Sequence, residues 1–184
     1  MQKENLGLTG EMTFSLRGAN GELKKLWNEN KIGKFLRRTF GLDLKFALFG
    51  SYQDSLVVKN LVTTAGKALA AGLLNGSGSP AAATYLEVGT GTTSPVAGNT
   101  ALETAIVDSG LARAAATVSL VTTTTTDDTA QLLKSWSVSG TKAVTECGAF
   151  NAGAAGTMLG RQTFSAINVV SGDTLQITYK FAVA

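Results

Sequence analysis

Of the side chains that carry enzymatic chemistry, this sequence offers carboxylates, one thiol and no imidazole. Without His, the commonest general base, the Ser–His and Cys–His nucleophile pairs and most zinc sites are ruled out together. A glycosidase needs only two carboxylates at a set separation. The candidates are Glu87, Glu103, Asp108, Glu146 and Asp173, with Asp127-Asp128 beside them. Asp127-Asp128 and Asp173 fall at predicted hairpin turns, where Asp accepts local backbone hydrogen bonds. Glu87 and Glu146 fall inside predicted strands, and spacing alone does not say whether they converge. Cys147 is the single cysteine, so no intrachain disulfide forms. Next to Gly148 in a predicted strand, it reads as a small buried apolar residue rather than a reactive thiol. Gly89-Thr90-Gly91 has the start of a phosphate-loop pattern, but Ser94 stands where the third Gly belongs and no helix follows. It reads as a turn at a strand end. No catalytic or metal-binding residue is assigned, no cofactor is implied, and the expected class is not an enzyme.

The other chemistry in view is recognition. Between Lys31 and Tyr52, Lys34, Arg37 and Arg38 are interleaved with Phe35, Phe40, Phe46, Phe49 and Tyr52. Cations meeting phosphates and rings stacking on bases would suit a single strand of nucleic acid. Here, however, the rings share their segment with many Leu, and the stretch holds four of the eight Phe residues. Plain core and lipid contact are the other readings. Burial against protein is the most economical, which makes Lys34, Phe35, Arg37, Arg38, Phe40, Phe46, Phe49 and Tyr52 the candidate interface.

The charge pattern agrees with such a division. Residues 1–60 carry ten Lys/Arg against six Asp/Glu, and residues 61–184 carry six against seven. The net charge of +3 is therefore concentrated in the first third, which suggests an acidic partner for that part. Charged residues make up only 16% of the chain, whereas Ala, Val, Thr and the 21 Gly are abundant. A surface so poor in charge is readily buried in an assembly. The N-terminus lacks the apolar run of a signal peptide, and no apolar stretch reaches membrane-spanning length. The expectation is a soluble chain made in the cytoplasm.

Elements that would position these residues follow from periodicity. Met12, Phe14 and Leu16 alternate with Thr13, Ser15 and Arg17, and Gly18-Ala19-Asn20-Gly21 turns the chain back toward Trp27. In the basic-aromatic stretch, Leu42, Leu44, Phe46 and Leu48 alternate like a strand, while Phe35, Leu36 and Thr39 keep helical spacing. A helix is predicted at 63–74, capped by Thr63 or Thr64 and stopped at Asn75-Gly76. Tyr85–Val88, Arg113–Thr123, Gln131–Ser139, Ala143–Phe150 and Met158–Ile167 read as strands, and 101–107 is ambiguous between strand and helical turn. Leu175, Ile177, Tyr179, Phe181 and Val183 give the cleanest alternation. The predicted fold is mainly β: an antiparallel, jelly-roll-like β-sandwich with one short helix, an N-terminal hairpin and an extended arm. Residues 1–31 form the hairpin, 32–59 the inserted arm and 60–184 the sandwich.

Three segments then carry a resemblance: NLVTTAGKALAAGLLNG at 60–76, YLEVGTGTTSPVAGNTALETAI at 85–106, and TECGAFNAGAAGTMLGRQTFSAINVVSGDTLQITYKFAVA at 145–184. Following a hairpin, this succession resembles the virion structural proteins of tailed bacteriophages, the capsid decoration or cement and fibre-like group. Ile32–Lys59 lies outside the likeness. The resemblance implies a β-domain that associates with copies of itself, as dimer or trimer, and with the major capsid protein. It implies no specific nucleic acid, no membrane and no catalytic residues, and a place on the capsid surface of the virion. A tail, baseplate or fibre-base component is the alternative. A carbohydrate- or receptor-binding module is the third, with Tyr85 and Tyr52 as its candidate exposed rings.

Overall fold

The computed structural model describes residues 7–42 and 45–183. In chain order the elements are β1 (Leu8–Arg17), β2 (Leu23–Lys24), β3 (Leu26–Glu29), α1 (Lys31–Phe40), β4 (Gly50–Gln53), β5 (Leu56–Lys59), β6 (Leu61–Val62), α2 (Thr64–Asn75), β7 (Tyr85–Gly89), β8 (Ala114–Ala115), β9 (Thr117–Val121), β10 (Thr129–Ser137), β11 (Lys142–Phe150), β12 (Met158–Val169) and β13 (Thr174–Val183). The first sheet runs β2-β1-β13-β10-β9, with β5 also pairing β1, and the second runs β6-β12-β11-β7-β8. Every pairing is antiparallel.

Period-two alternation does the sorting. Met12, Phe14 and Leu16 of β1 and Leu175, Ile177, Tyr179 and Phe181 of β13 point inward in register, Met12 opposite Tyr179 and Phe14 opposite Ile177. From the second sheet Val88, Val144, Cys147, Ala149, Phe164 and Ile167 join the same core. The rings of Phe14 and Phe164 meet across the sheets with centroids 4.4 Å apart. The architecture is thus an antiparallel β-sandwich.

The chain changes sheets at a corner between β12 and β13. Gly172 takes a left-handed conformation (φ 90°), and Asp173 accepts a hydrogen bond from Val170 N while its other oxygen pairs with Lys24 at 2.6 Å. The turn predicted at Asp127-Asp128 does join the paired strands β9 and β10, and β11 pairs with β12 with two register shifts, whereas the turn predicted at Asp173 is this corner between sheets and not a hairpin. The segment 101–107, read as strand or helical turn, is bends with a single bridge from Ala105 to Gly89.

The helix α2 begins where its cap was expected. Thr63 accepts from Gly66 N, and its own hydroxyl donates to the carbonyl of Met158 at 2.6 Å, so the cap also ties the helix to β12. Gly76 ends it in the left-handed region. Leu69 is buried against the sheet, whereas Leu73, one turn further on, stays half exposed.

Residues 32–59 are not an extended arm. They hold the second helix, α1, and the strands β4 and β5. The expected alternation across 42–48 falls partly on residues 43 and 44, outside the described residues. Where it is described, Phe46–Phe49 forms a turn, closed by Phe49 N donating to Phe46 O at 2.8 Å. The predicted N-terminal hairpin is short: only Leu16 and Arg17 pair with β2, and β3 leaves to pair with β4 instead.

Candidate functional site: a βαβ module projecting apolar rings

The candidate interface residues are all carried by one small module, β3-α1-β4. Its base is a two-stranded sheet in which Trp27 lies opposite Tyr52 and Glu29 opposite Gly50. Asn30 starts the helix. Its side-chain oxygen accepts from Ile32 N and Gly33 N at 3.0 Å each, and its amide donates to Leu48 O, so one residue both caps α1 and ties down the returning loop. Gly41 stops the helix in a left-handed conformation, its N–H donating to Arg37 O.

Gly33 is where the helix touches the turn that leads into β4. A Cβ at this position would stand 2.5 Å from the backbone oxygen of Phe49. Propensity alone would make Gly33→Ala stabilising by about 1 kcal/mol. The contact reverses the sign, and a net loss of about 1–3 kcal/mol is expected. It should appear as faster proteolytic cleavage within 31–49 with little change in the sandwich's melting.

The candidate residues divide between two faces. Outward point Phe35, Phe40 and Phe46, with Ile32 and Leu48, each more than half exposed, Leu48 reaching 69%, whereas Tyr52, also exposed, stands beside Trp27 with its ring 5.2 Å away. Phe35 meets Phe40 edge-on with centroids 5.9 Å apart, and Phe49 is half-buried beneath Phe46 at 6.5 Å. Lys34, Arg37 and Arg38 instead line a cleft of about 530 Å³ between the module and the sandwich, together with Trp27, Glu29, Lys59 and Gln162. Arg37 is committed there: its Nε lies 2.9 and 3.0 Å from the two oxygens of buried Glu29. So the basic residues and the exposed Phe rings that alternate in sequence do not share a surface.

The carboxylates singled out for acid–base chemistry have other work. Glu146 pairs with Gly89 and Glu87 with Gly148 across β7 and β11, which puts the two on one face. Each is held by its own arginine. Glu87 lies 2.9 Å from Arg113, which also stacks over Phe150 at 3.7 Å. Glu146 is fully buried and accepts from the backbone N–H groups of Gly91, Glu103 and Thr104 and from Arg161 Nε at 2.8 Å. Arg161 Nη2 lies 2.7 Å from the same oxygen as an ion pair without hydrogen-bond alignment, and Nη1 donates to Asn99. No lone pair of Glu146 is left aimed at open space, so this carboxylate organises the 89–105 loop. Sequence reading missed that role. The signal was present, since a Glu in a strand one residue before Cys147 and Gly148 breaks the apolar alternation of β11.

The remaining sites behave as their surroundings dictate. Thr93, donating through its backbone and hydroxyl, holds Glu103 below the usual carboxylate range. Backbone N–H groups of Thr125, Thr123 and Thr124 do the same for Asp128 far more strongly, making it the clasp of the β9–β10 loop. Burial pushes the Cys147 thiol far above its ordinary range, as a structural cysteine requires. Tyr85 is half-buried against Phe150 and Met158, which leaves Tyr52 as the exposed ring of the two considered. Among the described residues no group of three or more Asp, Glu or Cys is placed to hold a metal ion, and no helix is long and apolar enough to cross a membrane.

Comparison with protein-family models, with curated proteins and with solved structures returns no match.

Proposed function

We propose that this chain is a non-enzymatic structural protein of a tailed-phage virion, a decoration or cement protein that binds between major capsid subunits and to copies of itself. The observation that carries the reading is the outward face of the βαβ module. Phe35, Phe40, Phe46 and Leu48 stand in water on a helix capped at both ends and on the turn that follows it. Soluble monomers rarely expose so many large apolar side chains within one short segment unless a partner covers them. The free edge of the first sheet supports association as well. The strand β9, TVSLV, has no charge and no Pro, and Val118 and Leu120 are exposed on it. Natural edges that stay unpaired usually carry such blocking residues.

A tail or baseplate component would use the same surfaces, and copy number separates the two. In purified particles, a ratio of roughly one copy per one to three shell subunits is the expected result for a cement protein. A few copies per hundred shell subunits would move the chain to the tail or a vertex. Absence from particles would overturn the virion reading and leave a soluble binding module, with Tyr52 as the ring to test against glycans.

A further inference from the structure

The cleft under α1 carries more positive charge than packing of the module uses. Trp27 lines it with its indole N–H enclosed, so this ring reports on what enters the cleft without bonding to it.

Charge narrows the choice. Four cationic residues line the cleft, Lys34, Arg37, Arg38 and Lys59. Glu29 occupies Arg37, and Arg38 reaches only the neutral Gln162 at 3.4 Å. Among the described residues Lys34 and Lys59 make no ion pair. Glu11 at the rim lies opposite Lys59 in the β1–β5 register, again without an ion pair. Three cations are thus available to an acceptor entering the cleft. The volume lies within the range of ligand sites, roughly 300–1,000 Å³.

We propose that this cleft receives a carboxylate-bearing segment of a partner protein, its acidic group paired with Lys34, Arg38 and Lys59. A nucleic-acid strand fits less well. Its repeated phosphates would meet the carboxylates of Glu11 and Glu29, and the Trp27 ring is too buried to serve as a stacking platform. The cleft's chemistry stands by itself, whereas the identity of the partner as a neighbouring shell subunit rests on the function proposed above. The basic cleft and the apolar rings would then grip one neighbour from the two faces of the same helix.

Trp136 provides an internal reference, because its indole N–H already donates to Ala112 O at 3.0 Å. The experiment is a titration of the nitrogen-labelled full chain with a capped hexapeptide bearing Glu-Asp at its centre, following both indole signals. The Trp27 signal is expected to move and saturate while the Trp136 signal stays. Lys59→Gln and Arg38→Gln, both at solvent-facing positions, should each weaken binding by about tenfold. The Gln-Asn version of the peptide should not saturate. A stationary Trp27 signal, an equal response to the Gln-Asn peptide, or tighter binding of inorganic phosphate or an oligonucleotide would each overturn the proposal. Because the titration uses the isolated chain, its failure is distinguishable from absence of the chain in particles.

Discussion

Glu146→Ala is expected to lower the melting temperature by about 10 °C or more, the largest stability effect of any single side chain in the second sheet. The substitution leaves the Arg161 guanidinium 2% exposed with its buried counter-charge gone. Removing one partner of a buried pair costs roughly 3–5 kcal/mol. It also orphans the N–H groups of Gly91, Glu103 and Thr104, which now converge on one carboxylate. For a domain of this size each kcal/mol is worth about 2–4 °C. The double variant Glu146→Gln, Arg161→Met should recover part of the loss, because it removes the stranded charge along with its partner. A melting temperature within about 3 °C of the parent in the single Ala variant would mean that the pair is not what holds the 89–105 loop.

That pair also joins two segments that the sequence presents separately. The GTGTT turn and the E-x-G-x-F run stand more than fifty residues apart, and Gly91 joins them, its N–H donating to Glu146 and its carbonyl accepting from the Thr145 hydroxyl. Substituting Gly89 or Gly91 would carry a Cβ to 2.5 Å from the same carboxylate oxygen. The motif is therefore a packing requirement: small residues where the backbone must approach a buried charge.

What the sequence revealed follows the same physics. Strict alternation in β1 and β13 left one face for the core, so these strands and their inward residues were readable. The cap of α2 was readable because Thr63 and Gly76 bracket an uninterrupted run of helix formers. The arm was not. Its two periodicities overlap, and deciding between them depends on Asn30 binding both the helix start and Leu48, a contact eighteen residues away. Nor could spacing show that Lys34 and Arg37 turn inward while Phe35 and Phe40 turn out. The helix is amphipathic but turns its apolar side outward, against the usual rule, because the side that meets the sandwich is set by Gly33 fitting against Phe49 and by Arg37 reaching Glu29.

The outward rings give the second large effect, on assembly and not on folding. The triple variant Phe35→Ser, Phe40→Ser, Phe46→Ser is expected to fold with a melting temperature within about 2 °C of the parent, since each ring is mostly in water already. Its incorporation into particles, or its affinity for isolated shells, should fall at least about a hundredfold. Covering several hundred square ångströms of apolar surface at about 25 cal/mol per Å² gives on the order of 10 kcal/mol gross. Ordering costs consume much of that, and a buried aromatic anchor is typically worth about 2 kcal/mol net. Three such anchors lost would exceed the roughly 2.7 kcal/mol that a hundredfold change requires, even if their effects overlap. A companion variant, Val118→Lys with Leu120→Lys on β9, tests the other exposed surface and should act on self-association alone. If the Phe variant binds shells as the parent does while the β9 variant does not, the anchoring surface is the sheet edge. If neither change matters, the apolar module is not a docking device and the cement reading loses the observation that carries it.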